Sequence, residues 1–390
     1  MIIALAAVAA IALQRQTATT HAAQSANSLG LHLLQVLDRT RSRSTSLVIS
    51  PYSADAAFAA LLVGLQGKTR SRLANVLSLS KAAPSAVEQS YQDVEASFRN
   101  IAEGAKFTSS NSFWLAPEVL SPEAYRQRLQ QSFNADIMTL RGLDAVGATQ
   151  VNDWITDRTK GEITHMLDRV PKGSAFLLVN TALFSGRWER RTGIRPMSFT
   201  LEGGAVAAAK GLFLEAQLPY VEDDTWQAAA LAYQGARFAF VIAKPKTADI
   251  GPALAAMSVD RWNHLLDHTH TKLGRVTWPE FKFTSNTDLL WAMSKLGAAN
   301  LQFPSMDFAP IMGRKGLLTA AVQRAMIDVD KNGTKASAAT VIVGSFGGAP
   351  RPPSAFEGFT LVADKPFLFA IVDRETKACL FLGIYAGPSD

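Results

Sequence analysis

The spacing of apolar residues divides the chain into a helical first part and a strand-rich remainder. Leucines in "SLGLHLLQVLD" (residues 28–38) recur at helical intervals and predict a first helix. "TSLVIS" reads as a short buried strand. "PYSADAAFAALLVGL" then opens with Pro51 and is almost wholly apolar, so the helix it predicts is buried on most sides. "TRSRLANVL", "AVEQSYQDVEASFRNI" and "TQVNDWITDRTKGEI" are amphipathic, the last with Val151, Trp154 and Ile155 on one face. "SAFLLVNTALFSGRW" changes character. It is a continuous apolar run of strand length, which predicts a central strand covered on both faces. "WQAAALAYQ", "RFAFVIAKP", "LGRVTWPEFKF" and "RAMIDVD" predict further strands. "KPFLFAIVDRETKACLFLGIY" reads as two more, joined by the hairpin connection "DRETK". No linker and no repeat cuts the chain, so the expectation is a single α+β domain from about residue 24 to residue 390.

One stretch fits neither pattern: "DVDKNGTKASAATVIVGSFGGAPRPP", Asp328 to Pro353. Extended, it would place Thr334, Ala336, Ala338, Thr340 and Ile342 on one face, and Lys335, Ser337, Ala339, Val341 and Val343 on the other. The first face is small and uncharged throughout. A plain mobile connector would not need Val341-Ile342-Val343, a run that is hazardous when exposed. The segment also continues a predicted buried strand, Arg324 to Asp330. The pattern suits a segment able to enter a packed interior along one face.

Composition adds mainly exclusions. The chain of 390 residues is 48% hydrophobic and 18% charged, enough apolar matter for a sizeable core. Its net charge of +6 is dispersed; "RTRSRS" (Arg39–Ser44) and "WERRTGIR" (Trp188–Arg195) are the densest basic stretches and read as solvated surface. No nucleic-acid motif accompanies them. A G-x-S-x-G elbow, a phosphate loop, H-E-x-x-H and C-x-x-C are all missing, so no enzyme is expected. His268 and His270 in "DHTHTK" lack a third metal partner nearby. The one cysteine, Cys379, sits in "ACLFLGIY" and reads as an inert buried thiol.

The chain begins "MIIALAAVAAIAL", an apolar run too short to span a membrane and followed by polar residues. It is similar to the h-region of an export signal, with small-residue cleavage options near Ala22 or Ala23. Residues 1–23 are therefore expected to be a signal peptide, and the mature protein secreted or periplasmic; the alternative is a cytoplasmic chain.

Taken in order, "LVISPYSADAAFAALLVGLQGKTRSRL", "VNDWITDRTKGEI", "LLVNTALFSGRWER", "LPYVEDDTWQAAALAY", "WPEFKF", "DLLWAMSKLGAANLQF", "AMIDVDKNGTKASAAT" and "ADKPFLFAIVDRETKACLFLG" closely resemble the serpin family. The resemblance implies a fold of three β-sheets with about nine helices and an exposed reactive-centre loop, here about residues 331–356. It implies a protease inhibitor that acts as a suicide substrate. A serine or cysteine protease cleaves the loop, and the freed half inserts into the central sheet before the covalent acyl-enzyme hydrolyses. The alternative within the family is a non-inhibitory carrier or chaperone. A monomer is expected, with no cofactor, no metal, no nucleic-acid partner and no membrane attachment in the mature form. "AVEQSYQDVEASFRN" lacks the clustered basic residues of the family's polyanion site.

Residue by residue, Gly333, Thr334, Ala336, Ala338, Ala339 and Thr340 match the inhibitory hinge. Ser50, Ser53 and Asn180 match the polar cluster beneath the place where the sheet opens. Gln323 stands there where many members have His, and it does not titrate. Trp188 matches the tryptophan at the top of the opening. Lys331 replaces the usual Glu, a charge reversal expected to weaken anchoring of the hinge. Fourteen residues on from Gly333, the reactive bond falls at Gly347-Gly348. Alignment from Pro352-Pro353 points nearer Ala349. Small residues there suit elastase-like or cysteine proteases, Phe346 a chymotrypsin-like enzyme, and Arg351 a trypsin-like one, although Pro352 disfavours cleavage after it.

Overall fold

The computed structural model describes residues 21–99, 104–247, 249–267, 270–335 and 356–388. Helix α1 (21–38) leads into strand β1 (Leu47–Ile49), α2 (Pro51–Gly64), α3 (Gly67–Val76) and α4 (Pro84–Arg99). Strand β2 (Ala105–Leu115), α5 (Glu123–Phe133), β3 (Ala135–Thr139) and α6 (Ala145–Arg158) follow. Strands then dominate: β4 (Phe176–Arg187), β5 (Gly193–Thr200), β6 (Val206–Glu222), β7 (Trp226–Ala232) and β8 (Phe238–Pro245). After two short helices come β9 (His270–Pro279) and β10 (Phe281–Asp288). The chain closes with β11 (Ala320–Asp330), β12 (Gly333–Thr334), β13 (Phe359–Val362), β14 (Phe367–Asp373) and β15 (Cys379–Tyr385).

The strands form two hydrogen-bonded networks. One is six-stranded, in the order β10-β11-β12-β4-β2-β3. The other is nine-stranded and runs β1-β15-β14-β8-β7-β6-β9-β13, with β5 beside β6. Strand β6, 17 residues long, pairs with β5 and β9 through most of its length and with β7 near its end. It thereby joins the second and third of the three expected sheets. The run "LGRVTWPEFKF", expected as one strand, is two. The chain turns at Glu280, whose N–H donates to the Lys210 carbonyl at 2.8 Å, so β9 and β10 enter different sheets. The expected strand Arg324–Asp330 begins four residues earlier, at Ala320. The hairpin of β14 and β15 forms as expected.

Helix α2 lies between the two sheets, and all fourteen of its residues are buried. Its low polarity follows from that position, because a helix enclosed on every side has no face to give to water. A smaller apolar layer separates α6 from the six-stranded sheet: Val151, Trp154 and Ile155 meet Trp114, Leu177 and Val179. Helix α1 begins at His21, and Ala22 and Ala23 belong to the main core at 0% and 3% exposure. The Ala22 N–H donates to Ser90 Oγ at 2.9 Å. The cleavage positions expected near Ala22 or Ala23 thus fall within a packed helix. A new terminus there would bring a charged ammonium group into the core, which is costly without a partner.

One carboxyl in α2 stands out. Asp55 is fully buried, and Oδ1 lies 2.5 Å from Ser25 Oγ, which lies 2.6 Å from the Leu77 carbonyl. Ser25 has a single hydrogen and the carbonyl can only accept it, so the contact with Asp55 is best satisfied by a proton on the carboxyl. Tyr91 donates its hydroxyl hydrogen to the other carboxyl oxygen. Burial raises the Asp55 pKa to about 7, against the opposing pull of the Tyr91 bond. The folded state therefore binds more protons than the unfolded state between about pH 4 and pH 7, and stability falls as pH rises through that window. Asp55→Asn keeps a neutral group of the same shape. Denaturant unfolding from pH 5 to pH 8 should show the wild type losing a few kcal/mol relative to the variant, about 1.4 kcal/mol for each pH decade in the window. Parallel curves would show that Asp55 does not titrate in this range.

Candidate functional site

The six-stranded sheet contains a fork. Strands β4 and β11 pair in parallel from Ala320 opposite Leu177 to Ala325 opposite Ala182. Above that they part, and β12 wedges between them. Gly333 and Thr334 pair antiparallel with Asp330 and Val329 on one side, and with Arg187 and Gly186 on the other. Asp330 and Arg187, the two neighbours of Gly333, are offset by the same sequence interval as the zipped pairs below. The strands have therefore separated sideways with no slip along their length.

Glycine at position 333 is a steric requirement. A Cβ there would lie 1.9 Å from the Gly186 carbonyl oxygen and 2.8 Å from Arg187 Cα, both backbone atoms. The backbone also has φ +155°, which side chains rarely adopt. Thr334 is buried at 2% exposure, and its hydroxyl lies 2.6 Å from that of Tyr233. Trp188 stacks on Tyr233 with centroids 4.7 Å apart and meets Phe240 and Trp278 edge-on. The Trp188 indole N–H donates to the Asp330 carbonyl at 2.9 Å, and its backbone N–H to Asn332 O at 2.9 Å. Trp188 and Tyr233 thus hold both arms of the turn that leads into β12.

Asp330 organises that turn. One carboxylate oxygen accepts from the Asn332 and Gly333 N–H groups at 2.7 and 3.1 Å, and the other pairs with the Lys335 ammonium. Burial alone would raise its pKa, but the Lys335 and Asn332 bonds hold the carboxyl below its usual range. The Lys331 carbonyl accepts from Thr192 Oγ1 at 2.7 Å, and its side chain is exposed, with no ion pair among the described residues. Anchoring at the top of the strand rests on Asp330 and Lys335, which bears on the expected effect of the charge reversal at Lys331.

Below the fork, the polar cluster expected from Ser50, Ser53, Asn180 and Gln323 assembles with all four residues buried. Gln323 on β11 donates from Nε2 to Asn180 Oδ1 at 2.5 Å and to Ser50 O at 3.0 Å; its Oε1 accepts from Ser50 N at 2.9 Å. Asn180 on β4 donates from Nδ2 to Ser53 Oγ at 2.6 Å and to Asn111 Oδ1. Ser53 Oγ lies 2.6 Å from Ser109 Oγ, and Ser50 Oγ donates to Leu380 O at 2.6 Å. Buried polar groups persist when each has a partner. Here the bond between Gln323 and Asn180 crosses the zipped β4–β11 seam.

The sequence reading missed Asn111, Ser109, Tyr233 and Asp330. Asn111 and Ser109 lie in "FTSSNSF", a polar stretch of β2 that lacks a strand's apolar signal. Ala336, Ala338, Ala339, Thr340, Phe346, Gly347, Gly348, Ala349 and Arg351 lie outside the described residues, as does His268. Cys379 is fully buried, and burial pushes its thiol pKa up, away from the reactive range. Among the described residues, no group of three or more metal-ligating side chains occurs.

A family profile described as "Serpin (serine protease inhibitor)" matches residues 24–388. Iripin-3 of Ixodes ricinus is 27% identical over 373 residues, covering 92% of this chain and 93% of its own. Serpin48 of the insect Tenebrio molitor superposes with a TM-score of 0.83 at 20% identity, over 94% of this chain and 98% of its own. Human thyroxine-binding globulin, solved in complex with thyroxine, superposes with a TM-score of 0.82 at 18% identity, over 97% of this chain and all of the other.

The hinge geometry is open to a direct check. Gly333→Val cannot fit between β4 and β11, so β12 should leave the sheet. Hydrogen exchange at the Trp188 and Lys335 amides should then become at least about tenfold faster, since both donate to this turn or its flanking strand. Unchanged protection would show that the hinge is not held by this contact.

Proposed function

This chain belongs to the serpin family, and on that premise we propose that it inhibits proteases as a suicide substrate. Family membership supports a protease partner in general; covalent trapping and loop insertion are the finer reading. The observation that carries it is the fork. Continuing the register of β12 downward places Lys335 opposite Ser185 and Asp328, and Lys335 N already donates to Asp328 O at 2.9 Å. Two residues at a time, the same register sets Ala338 between Ala182 and Ala325, and Thr340 between Asn180 and Gln323. Thr334 faces the core, so Ala336, Ala338, Thr340 and Ile342 would face it too. Small uncharged side chains suit that side, and a threonine hydroxyl suits the polar cluster.

In this reading the protease nucleophile attacks the carbonyl of the reactive bond, with Gly347-Gly348 the leading candidate, and the new amine departs. An ester, or a thioester for a cysteine protease, joins the two proteins. The freed segment enters between β4 and β11 faster than water attacks that bond. Insertion of the roughly ten residues after Thr334 carries the enzyme about 34 Å at ~3.4 Å per residue and deforms its active site. Strand β11 begins at Ala320 and β4 at Phe176, so the slot is filled by about Val343 or Gly344. The candidate bond lies just past that end, where it is free to hold the enzyme. A carrier or chaperone role remains the family alternative, and the inward hinge residues do not favour it.

Incubation with elastase-like, chymotrypsin-like, trypsin-like and papain-like proteases, followed by denaturing electrophoresis, tests the proposal. The expected product is a complex stable to denaturant, with the mapped cut near Gly347. Thr340→Arg buries a charge against Asn180 and Gln323, at a cost of several kcal/mol. It should convert the chain from inhibitor to substrate, cutting complex yield by tenfold or more while cleavage continues. Cleavage of the wild type with no complex at any protease would leave the carrier reading.

A further inference from the structure

A second concave site lies behind the hinge anchor. The turn after β4, the middle of β6 and the end of β7 enclose a cavity of about 280 Å³. Trp188 and Leu218 form part of its wall, and Ala230 and Ala232 of β7 open it because their side chains are too short to fill the space. That volume is just below the range of roughly 300–1,000 Å³ usual for small-ligand sites.

Charge at the lining is uneven. Two arginines, Arg190 and Arg374, line the cavity. Arg190 is exposed and makes no side-chain hydrogen bond or ion pair among the described residues. Arg374 donates once, from Nη1 to the Ala236 carbonyl at 3.1 Å, and pairs with no carboxylate. Glu189 is the single carboxylate of the lining. The neighbouring Glu375 is already committed to Arg237 at 3.1 Å. A recess of mixed lining, with leucines and alanines on one part and two arginines that pair with no carboxylate on another, is complementary to a ligand with a compact apolar body and an anionic head, since guanidinium groups match carboxylate and sulfonate geometry.

We propose that this cavity binds a small anionic amphiphile, an aromatic or short aliphatic carboxylate or sulfonate. The body lies against Trp188 and Leu218, and the head meets Arg190 and Arg374. Because Trp188 both lines the cavity and stacks on Tyr233, occupancy is felt at Thr334 and at the turn that starts β12. Binding itself does not require the chain to be an inhibitor.

The test uses 2-naphthoate as the anionic probe and 2-naphthylmethylamine as its cationic counterpart, titrated into the full chain by calorimetry and by tryptophan fluorescence. The expected result is one saturable site for naphthoate with a tryptophan signal, and at least tenfold weaker binding of the amine. Arg190→Glu combined with Arg374→Glu, both on exposed side chains, should weaken naphthoate tenfold or more. Ala230→Phe should abolish binding by filling the recess. If Ala230→Phe does not fold, Ala232→Leu serves the same purpose. Absence of saturable binding, equal affinity for the two probes, or an affinity unchanged by both the charge and the filling substitutions would overturn the proposal.

Discussion

The structure depends on one incomplete pairing. Strands β4 and β11 are zipped in parallel over six register positions and split above them by a strand of only two residues. Parallel pairs are somewhat weaker per residue than antiparallel ones. An antiparallel strand placed between β4 and β11 would exchange one weaker ladder for two stronger ones. At about 1 kcal/mol net per backbone hydrogen bond, the added ladder is worth on the order of 5 kcal/mol before side-chain packing. The common register above and below the fork means that the exchange asks for sideways parting alone.

What keeps the seam closed is on either face of it. On the core side, Gln323 reaches Asn180 across the seam, and α2 supplies Ser50 and Ser53 to complete both residues' bonds. On the other side, α6 covers Leu177, Val179, Ala320 and Val322 with an apolar layer. Parting the strands exposes part of that layer and breaks the crossing bond, while Ser50 and Ser53 stay with α2 and can take up an incoming hydroxyl. Buried networks of this kind can exchange partners without leaving orphans. Above the seam, Trp188, Tyr233 and Asp330 hold Gly333 and Thr334 in place, so the entry proposed above would start from an ordered end.

Much of this was legible in the sequence. The all-apolar α2, the long strand β4 and the β14–β15 hairpin each carry one dominant periodicity, and each forms where expected. Ser50, Ser53, Asn180 and Gln323, singled out in the sequence, lie in one hydrogen-bonded cluster. Strands β2 and β3 did not show themselves, because β2 carries "TSSNS" where it faces the polar cluster and β3 has only five residues. Helix α5 likewise escaped, its "EAYRQRLQQSF" offering a weak apolar stripe. The break at Glu280 was hidden because apolar residues end β9 (Val276, Trp278) and begin β10 (Phe281, Phe283), and only the change of sheet separates them. The anchoring role of Asp330 rests on turn geometry, which a charge pattern does not encode.

The claim of stored free energy has a direct measure: the melting temperature of the chain before and after a single cut between residues 336 and 355, by calorimetry on purified material. An added strand worth about 5 kcal/mol or more should raise the melting temperature of a 390-residue chain by about 6 °C or more. A cut chain that melts at or below the temperature of the intact one would mean that the fork between β4 and β11 holds no unfilled slot, and the account would fail there.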